Sequence, residues 1–520
     1  MTPKRHTRIP APGPLRGVKH DGRRSWRGIT FGRIEPGHGR WRPPTPEPTW
    51  TEQRVADAYQ PPALQPVYSW QDRTTGTEDC LTLDIVRPNT DETLPVVVYF
   101  HGGSFILGAS HQAILRGHQF VTDLNVVYVS INFRLGVFGY LDLTSLADND
   151  PTTTANPALH DQILALQWVR DNIHAFGGDP GNVTIMGESA GGAAVLTLMA
   201  CEQAHGLFHK AIAQSAPAAT FHHRTQAAFW AKSLLEHMAL PAGTPLDMLR
   251  EEPAGDLVRA GQSMLWRNPS FGQLNSAFGP AREEGLLPQH TLKTFKAGHS
   301  APVPLLIGTN NDEASFAKLF YMRKAPRSAR ALTMLKAYDP EHAPRVLEAY
   351  RGARTRQDFA QLITDAVFWA PSVRIAQNHA LAGNPTWMYR YDYASMLMRR
   401  IGMGATHSME LAHIFNDAAA SRISTVHRMG DEGQAEQVKE LMQWHWGHFI
   451  HHGVPGPDWP HYHPDTDRAT LIVDTPHSIA YDPGKVMRCA WQDYRMTEWG
   501  RGQQRFTTDG VTMDNTIGFS

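Results

Sequence analysis

Cysteine is scarce in this chain of 520 residues: Cys80, Cys201 and Cys489 are the only three, so at most one disulfide can form and a thiol is left over. A disulfide-stapled secreted scaffold is excluded, and a reducing, cytoplasmic setting fits best. Charge of one sign is missing too. The 49 basic and 50 acidic residues leave a net charge of -1, which gives no field to draw nucleic acid or an anionic membrane. Met1–Arg16 carries basic groups and prolines but no continuous apolar run, so neither a secretory leader nor a membrane span is read there. No repeat, low-complexity block or long linker divides the chain. Residues 1–14 and 506–520 read as loose tails around one domain, 15–505, expected as a monomer or weak homo-oligomer. With 41% hydrophobic and 19% charged residues, that domain can bury a large core.

What the chain does contain is a series of short β-branched runs alternating with helical patterns. Val96–Phe100, Val126–Ile131 and Val183–Met186 read as fully buried strands, with further candidates at Ala211–Gln214, Val303–Ile307 and Trp387–Tyr391. Between the second and third, residues 162–176 place Ile163, Leu166, Val169 and Ile173 at helical spacing, closed by Gly177-Gly178-Asp179-Pro180. This alternation predicts an α/β fold with a large, mostly parallel sheet covered on both faces. Phe221–Ser300 and Ala317–Met403 read as mainly helical insertions over the carboxyl ends of the strands, where ligands bind in open α/β sheets.

One stretch carries chemistry. Val183-Thr-Ile-Met-Gly-Glu-Ser-Ala-Gly-Gly192 runs from an apolar strand through Gly-x-Ser-x-Gly into a helix of small residues. A serine lifted on so sharp a corner takes strained backbone angles and needs neighbours without bulk, so Gly187 and Gly191 fit and Ser189 becomes a candidate nucleophile. A serine hydroxyl is a weak nucleophile by itself; it needs a histidine to accept its proton and a carboxylate to steer that histidine. In this fold class the acid follows the serine and the histidine follows the acid, but 27 histidines leave the choice open by residue type. An oxyanion site is also required, and His101-Gly102-Gly103-Ser104-Phe105, directly after a strand, supplies a glycine-rich turn with free N–H groups.

These blocks, with Glu78–Leu83, Asn132–Gly136, Phe176–Pro180, Gly206–Phe208, Gln214-Ser215 and Gly308–Asn310, resemble the type-B carboxylesterases of the α/β-hydrolase class, from about Gly13 to about Tyr494. The resemblance implies a serine hydrolase acting on small-molecule carboxylic esters through an acyl-enzyme, without cofactor or metal. It implies a nucleophile at Ser189, an acid at Glu313 and a base at His407, with oxyanion donors at the N–H groups of Gly103, Ser104 and Ala190. Residue chemistry leaves Asp312 as a competitor for the acid. The same resemblance implies a buried cluster of Glu188, Ser215 and Glu410 beneath the histidine, and ion pairs Arg40–Glu78 and Arg134–Asp179.

Some positions depart from the pattern: Ser104 stands where Gly or Ala is usual, and Ala314 and Ala216 where glycine is common. No cysteine follows Cys80 before Cys201, so the bridged loop of secreted relatives, and the choline site built on it, are not expected. The histidine-rich run His445, His448, His451, His452, His461 and His463 lacks a metalloprotease pattern and reads as structural, with Trp444, Trp446, Phe449 and Trp459 as core. Alternatives of the same mechanism are carbamate, amide or polyester hydrolysis. The family also includes non-catalytic binding proteins, but those typically lack the serine.

Overall fold

The computed structural model describes residues 13–20, 22–67, 73–148, 150–266, 276–316, 327–417 and 432–501. Nearly all of the two expected tails lies outside them. The β-branched runs form an eleven-stranded sheet. In chain order its strands are Val18–His20 (β1), Arg23–Thr30 (β2), Thr82–Pro88 (β3), Leu94–Phe100 (β4), Val127–Ile131 (β5) and Gly178–Glu188 (β6). Lys210–Gln214 (β7), Leu305–Asn310 (β8), Thr386–Tyr391 (β9), Ala469–Val473 (β10) and Ser478–Tyr481 (β11) follow. Across the sheet the order is β11-β10-β9-β8-β7-β6-β4-β5-β3-β2-β1. The strands from β4 to β10 are parallel, and antiparallel strands flank them on both sides.

Strand periodicity explains the uninterrupted apolar runs. In β4, Val96, Val98 and Phe100 enter one core with Val129 and Ile185, while Val97 and Tyr99 enter a second with Tyr128 and Met186. One core lies on each face of the sheet. Helix α1, Pro157–Asn172, buries Ile163, Leu166 and Val169 and ends through a 3-10 turn at Gly177, whose φ of 73° favours glycine. Each fully buried Leu, Ile or Val contributes about 1.5–3 kcal/mol. Helix α2, Ala190–Ala200, is buried along its whole length, which its Ala- and Gly-rich first turns permit.

The two inserted stretches divide. Helix Ala254–Trp266 packs Val258 and Gly261 over Ile106, Leu135 and Val137, beyond the carboxyl ends of β4 and β5. Helix Ala370–Leu381, in contrast, lies against β8 and β9 and so covers a sheet face, because Val373, Ile375 and Ala376 are its buried side. The second stretch also contains β9 itself. Residues 267–275 and 317–326, parts of these stretches, lie outside the described residues.

Candidate active site

The serine corner forms as its glycines require. β6 ends at Glu188, α2 starts at Ala190, and Ser189 between them holds φ 57° and ψ -125°. Its N–H donates to Gln214 O at 2.9 Å, fastening the corner to β7. A Cβ on Gly191 would fall 1.9 Å from Phe100 O, so any side chain there would push the turn off β4. A non-glycine residue in this backbone region stores strain that the packing around it must hold.

Two distant segments meet this serine. His407 Nε2 lies 2.9 Å from Ser189 Oγ, and His407 Nδ1 lies 2.5 Å from Glu313 Oε2. Glu313 sits on the turn after β8, where its other oxygen accepts the N–H of Asn310 at 2.7 Å. Asp312, the alternative acid, turns away and accepts the N–H of Ala405. Asn310 extends the link, since its side-chain amide donates to Thr406 O at 2.8 Å and to Glu410 Oε2 at 2.6 Å. It thereby ties the histidine loop to the end of β8. On the outer side, the Phe368 ring lies 4.8 Å from the imidazole, on a π-helical turn, Asp365–Trp369.

The glycine-rich turn after β4 borders the same space. Gly103 has φ 119° and Ser104 φ 55°, and a Cβ on Gly102 would stand 3.2 Å from Ser189 Cβ. Among the described residues, no hydrogen bond uses the N–H groups of Gly103 and Ser104, which leaves them available to an oxyanion. His101 beneath them stacks on Phe133 at 4.5 Å, and burial lowers its pKa to about 4, so it supports the turn as a neutral ring.

A model of the carboxylesterase family matches residues 2–489. The chain belongs to the carboxylesterase family. It is similar to the para-nitrobenzyl esterase of Bacillus subtilis, 34% identical over 493 residues, covering 92% of this chain and 96% of that one. It is also similar to the phenmedipham hydrolase of Pseudarthrobacter oxydans, 30% identical over 487 residues, covering 90% and 95%. A solved PNB esterase superposes with a TM-score of 0.83 at 32% identity, covering 92% of this chain and 97% of that one. A Geobacillus stearothermophilus carboxylesterase gives 0.79 at 28%, covering 92% and 98%. The fold is that of the α/β-hydrolases, and the protein is a carboxylic-ester hydrolase.

Three carboxylates crowd the imidazole of this carboxylesterase. Burial opposes a charge on His407, but Glu188, with Oε1 3.2 Å from Nε2, and Glu313 outweigh it and hold the ring's pKa well above the usual imidazole range. Burial raises the pKa of Glu188, against the pull of His407 and of the Ser408 hydroxyl. Glu410 is raised by burial and then by its two carboxylate neighbours. Ser215, expected within this cluster, has a buried Oγ without a side-chain partner among the described residues; Ser408 Oγ is the hydroxyl that donates to Glu188, at 2.5 Å. Ser408 and Phe368 had no sequence signal of their own, and Asn310 entered only as part of the Gly308–Asn310 block without a role, because each acts on a partner brought close only by the fold.

Arg40 pairs with Glu78 in two contacts of 2.7 Å. Arg134 does not pair with Asp179. It lies past the carboxyl end of β5, whereas Asp179 lies at the amino end of β6, two strands away and parallel to β5, so the length of the strands separates the two. The fully buried Asp161 of α1 takes both its Nε at 2.8 Å and its Nη2 at 2.6 Å. Trp444 is not core: it is 56% exposed, two residues out of phase with the buried Met442 and Trp446 on the same helix. Among the described residues, the three-ligand arrangement suited to a metal is Asp339, Glu341 and His342, away from Ser189, and Asp339 is already bonded to His342 and Arg495. All three cysteines are unpaired, and no described helix is long and apolar enough to cross a membrane.

Proposed function

We propose that this esterase works through a covalent acyl-enzyme on Ser189. His407 takes the hydroxyl proton at Nε2 while Ser189 Oγ attacks the ester carbonyl. Glu313 holds the Nδ1–H and balances the imidazolium that forms. The N–H groups of Gly103, Ser104 and Ala190 receive the tetrahedral oxyanion, a term worth about 10²- to 10³-fold in turnover per donor. His407 then protonates the leaving alcohol, and water, activated by the same ring, releases the acid. The observation that carries this reading is the unbroken run of hydrogen-bond distances, 2.9 Å and 2.5 Å, from Ser189 through His407 to Glu313.

The test is Ser189→Ala together with labelling of the native enzyme by an organophosphonate, read by mass spectrometry. The variant is expected to keep its circular dichroism and lose hydrolysis of p-nitrophenyl acetate, and the label to sit on Ser189. Wild-type rates in that variant would end the assignment. The names of the relatives put p-nitrobenzyl esters and phenmedipham first in a substrate panel. The three unpaired thiols support a cytoplasmic enzyme.

A further inference from the structure

Ser408 follows the histidine at φ 65°, a backbone region where glycine is the ordinary occupant. A serine kept in a conformation that penalises its own side chain directs attention to what that side chain touches. Its Oγ donates to Glu188 Oε1 at 2.5 Å. That same oxygen lies 3.2 Å from His407 Nε2, which is 2.9 Å from Ser189 Oγ. Nε2 therefore has two oxygens within reach, and its single lone pair can accept from only one of them.

We infer that Ser408 is a positioning residue that keeps Glu188 an ionised hydrogen-bond acceptor, so that the Nε2 lone pair is left to the Ser189 hydroxyl. The inference rests on the roles of Ser189 and His407 proposed above. A protonated Glu188 would donate its own O–H to Nε2, and Ser189 would lose its base. The surroundings press toward that outcome. Glu188 is buried with Glu313 from the turn after β8, Glu410 from the histidine loop, and the phenols of Tyr99 from β4 and Tyr389 from β9. Burial and the Glu313 carboxylate disfavour a negative charge on Glu188, Glu410 is a second carboxylate interacting with it, and the two phenols, their own ionisation suppressed by burial, stay neutral. His407 and the Ser408 hydroxyl are the groups that favour the ionised form. His407 favours it only while it carries a charge, and the ring that accepts the Ser189 proton is neutral, so at that moment the hydroxyl remains.

The experiment is the pH dependence of kcat/KM for p-nitrophenyl acetate in the whole enzyme and in two variants, Ser408→Gly and Ser408→Ala. Both remove the donor, while only glycine relieves the positive φ, so a shared effect reports the hydroxyl and an effect of alanine alone reports backbone strain. The expected result is an acid limb displaced upward in both variants by about one pH unit or more, the scale of one hydrogen bond to a charged group. Activity at neutral pH then falls more than the alkaline plateau does. A limb that stays in place, moves to lower pH, or moves in the alanine variant alone overturns the role of Ser408. Phosphonate labelling keeps the two assignments apart: a labelled Ser189 with unmoved profiles removes only Ser408, whereas absence of label on Ser189 removes the underlying mechanism.

Discussion

Replacing Glu313 by glutamine tests the geometry around His407 through a proton count. The carboxylate accepts two N–H groups at once, from His407 Nδ1 at 2.5 Å and from the backbone of Asn310 at 2.7 Å. An amide of the same shape has one accepting oxygen and one donating nitrogen. The Asn310 N–H is a fixed donor and cannot change its role, so the amide oxygen must face it and the amide nitrogen must face His407. Nδ1 then has to accept, which drives the imidazole into the tautomer carrying its proton on Nε2, aimed at Ser189. That tautomer cannot deprotonate the serine. A wrong-tautomer triad loses about 10⁴-fold in kcat, or about 5 kcal/mol of transition-state stabilisation. Folding should be little affected, because the volume is unchanged and one of three crowded carboxylates becomes neutral. The assay is steady-state hydrolysis of p-nitrophenyl acetate, with thermal melting as the control for structure. A Glu313→Gln enzyme within tenfold of the native kcat, melting normally, would refute the reasoning.

Three other outcomes follow from the same contacts. Asp161→Ala strands the buried guanidinium of Arg134 and is expected to cost about 3–5 kcal/mol in denaturant unfolding, while Asp179→Ala costs less than about 1 kcal/mol; similar values for the two would contradict the observed pairing. Because Glu188 and Glu313 raise the pKa of His407, the free base exists only on the alkaline side of that raised value. The acid limb of kcat/KM should therefore lie above about pH 6.5, the ordinary imidazole value, and a limb below it would show the carboxylates to be without effect. Gly191→Ala puts a methyl group 1.9 Å from Phe100 O, and a loss of both fold and activity is expected; a soluble, active variant would show that the corner yields.

The strands were legible because their faces are both buried, which leaves β-branched runs without polar interruption, and the corner at Ser189 because steric exclusion writes its glycines into the sequence. Partnerships were less so. Arg134 could be paired with Asp179 on family pattern, but which end of a parallel strand a residue occupies decides whether it reaches a neighbour, and the shorter route runs to Asp161. Trp444 looked like its aromatic neighbours until helical phase set it outside. Between Asp312 and Glu313, composition offers no discrimination, since both are carboxylates on one turn; the difference appears only when Ala405 is seen to occupy the first. Asn310 and Ser408 escape for a related reason. Each is an ordinary polar residue whose meaning comes from a partner about one hundred or more positions away in the chain.

Helix α2 is enclosed throughout, and its first turn leaves no room even for a methyl group at Gly191 or Gly192, where added carbons would stand 1.9 Å and 2.6 Å from carbonyl oxygens. This fixes where new specificities can arise. A randomised library that includes residues 187–200 should return survivors close to the parent there, while variation accumulates on the helix Ala254–Trp266 beyond the carboxyl ends of β4 and β5 and on the turn bearing Phe368. The enzyme thus separates the part that must not vary from the part that can, and laboratory evolution toward a bulkier acyl or alcohol group has its freedom in the second.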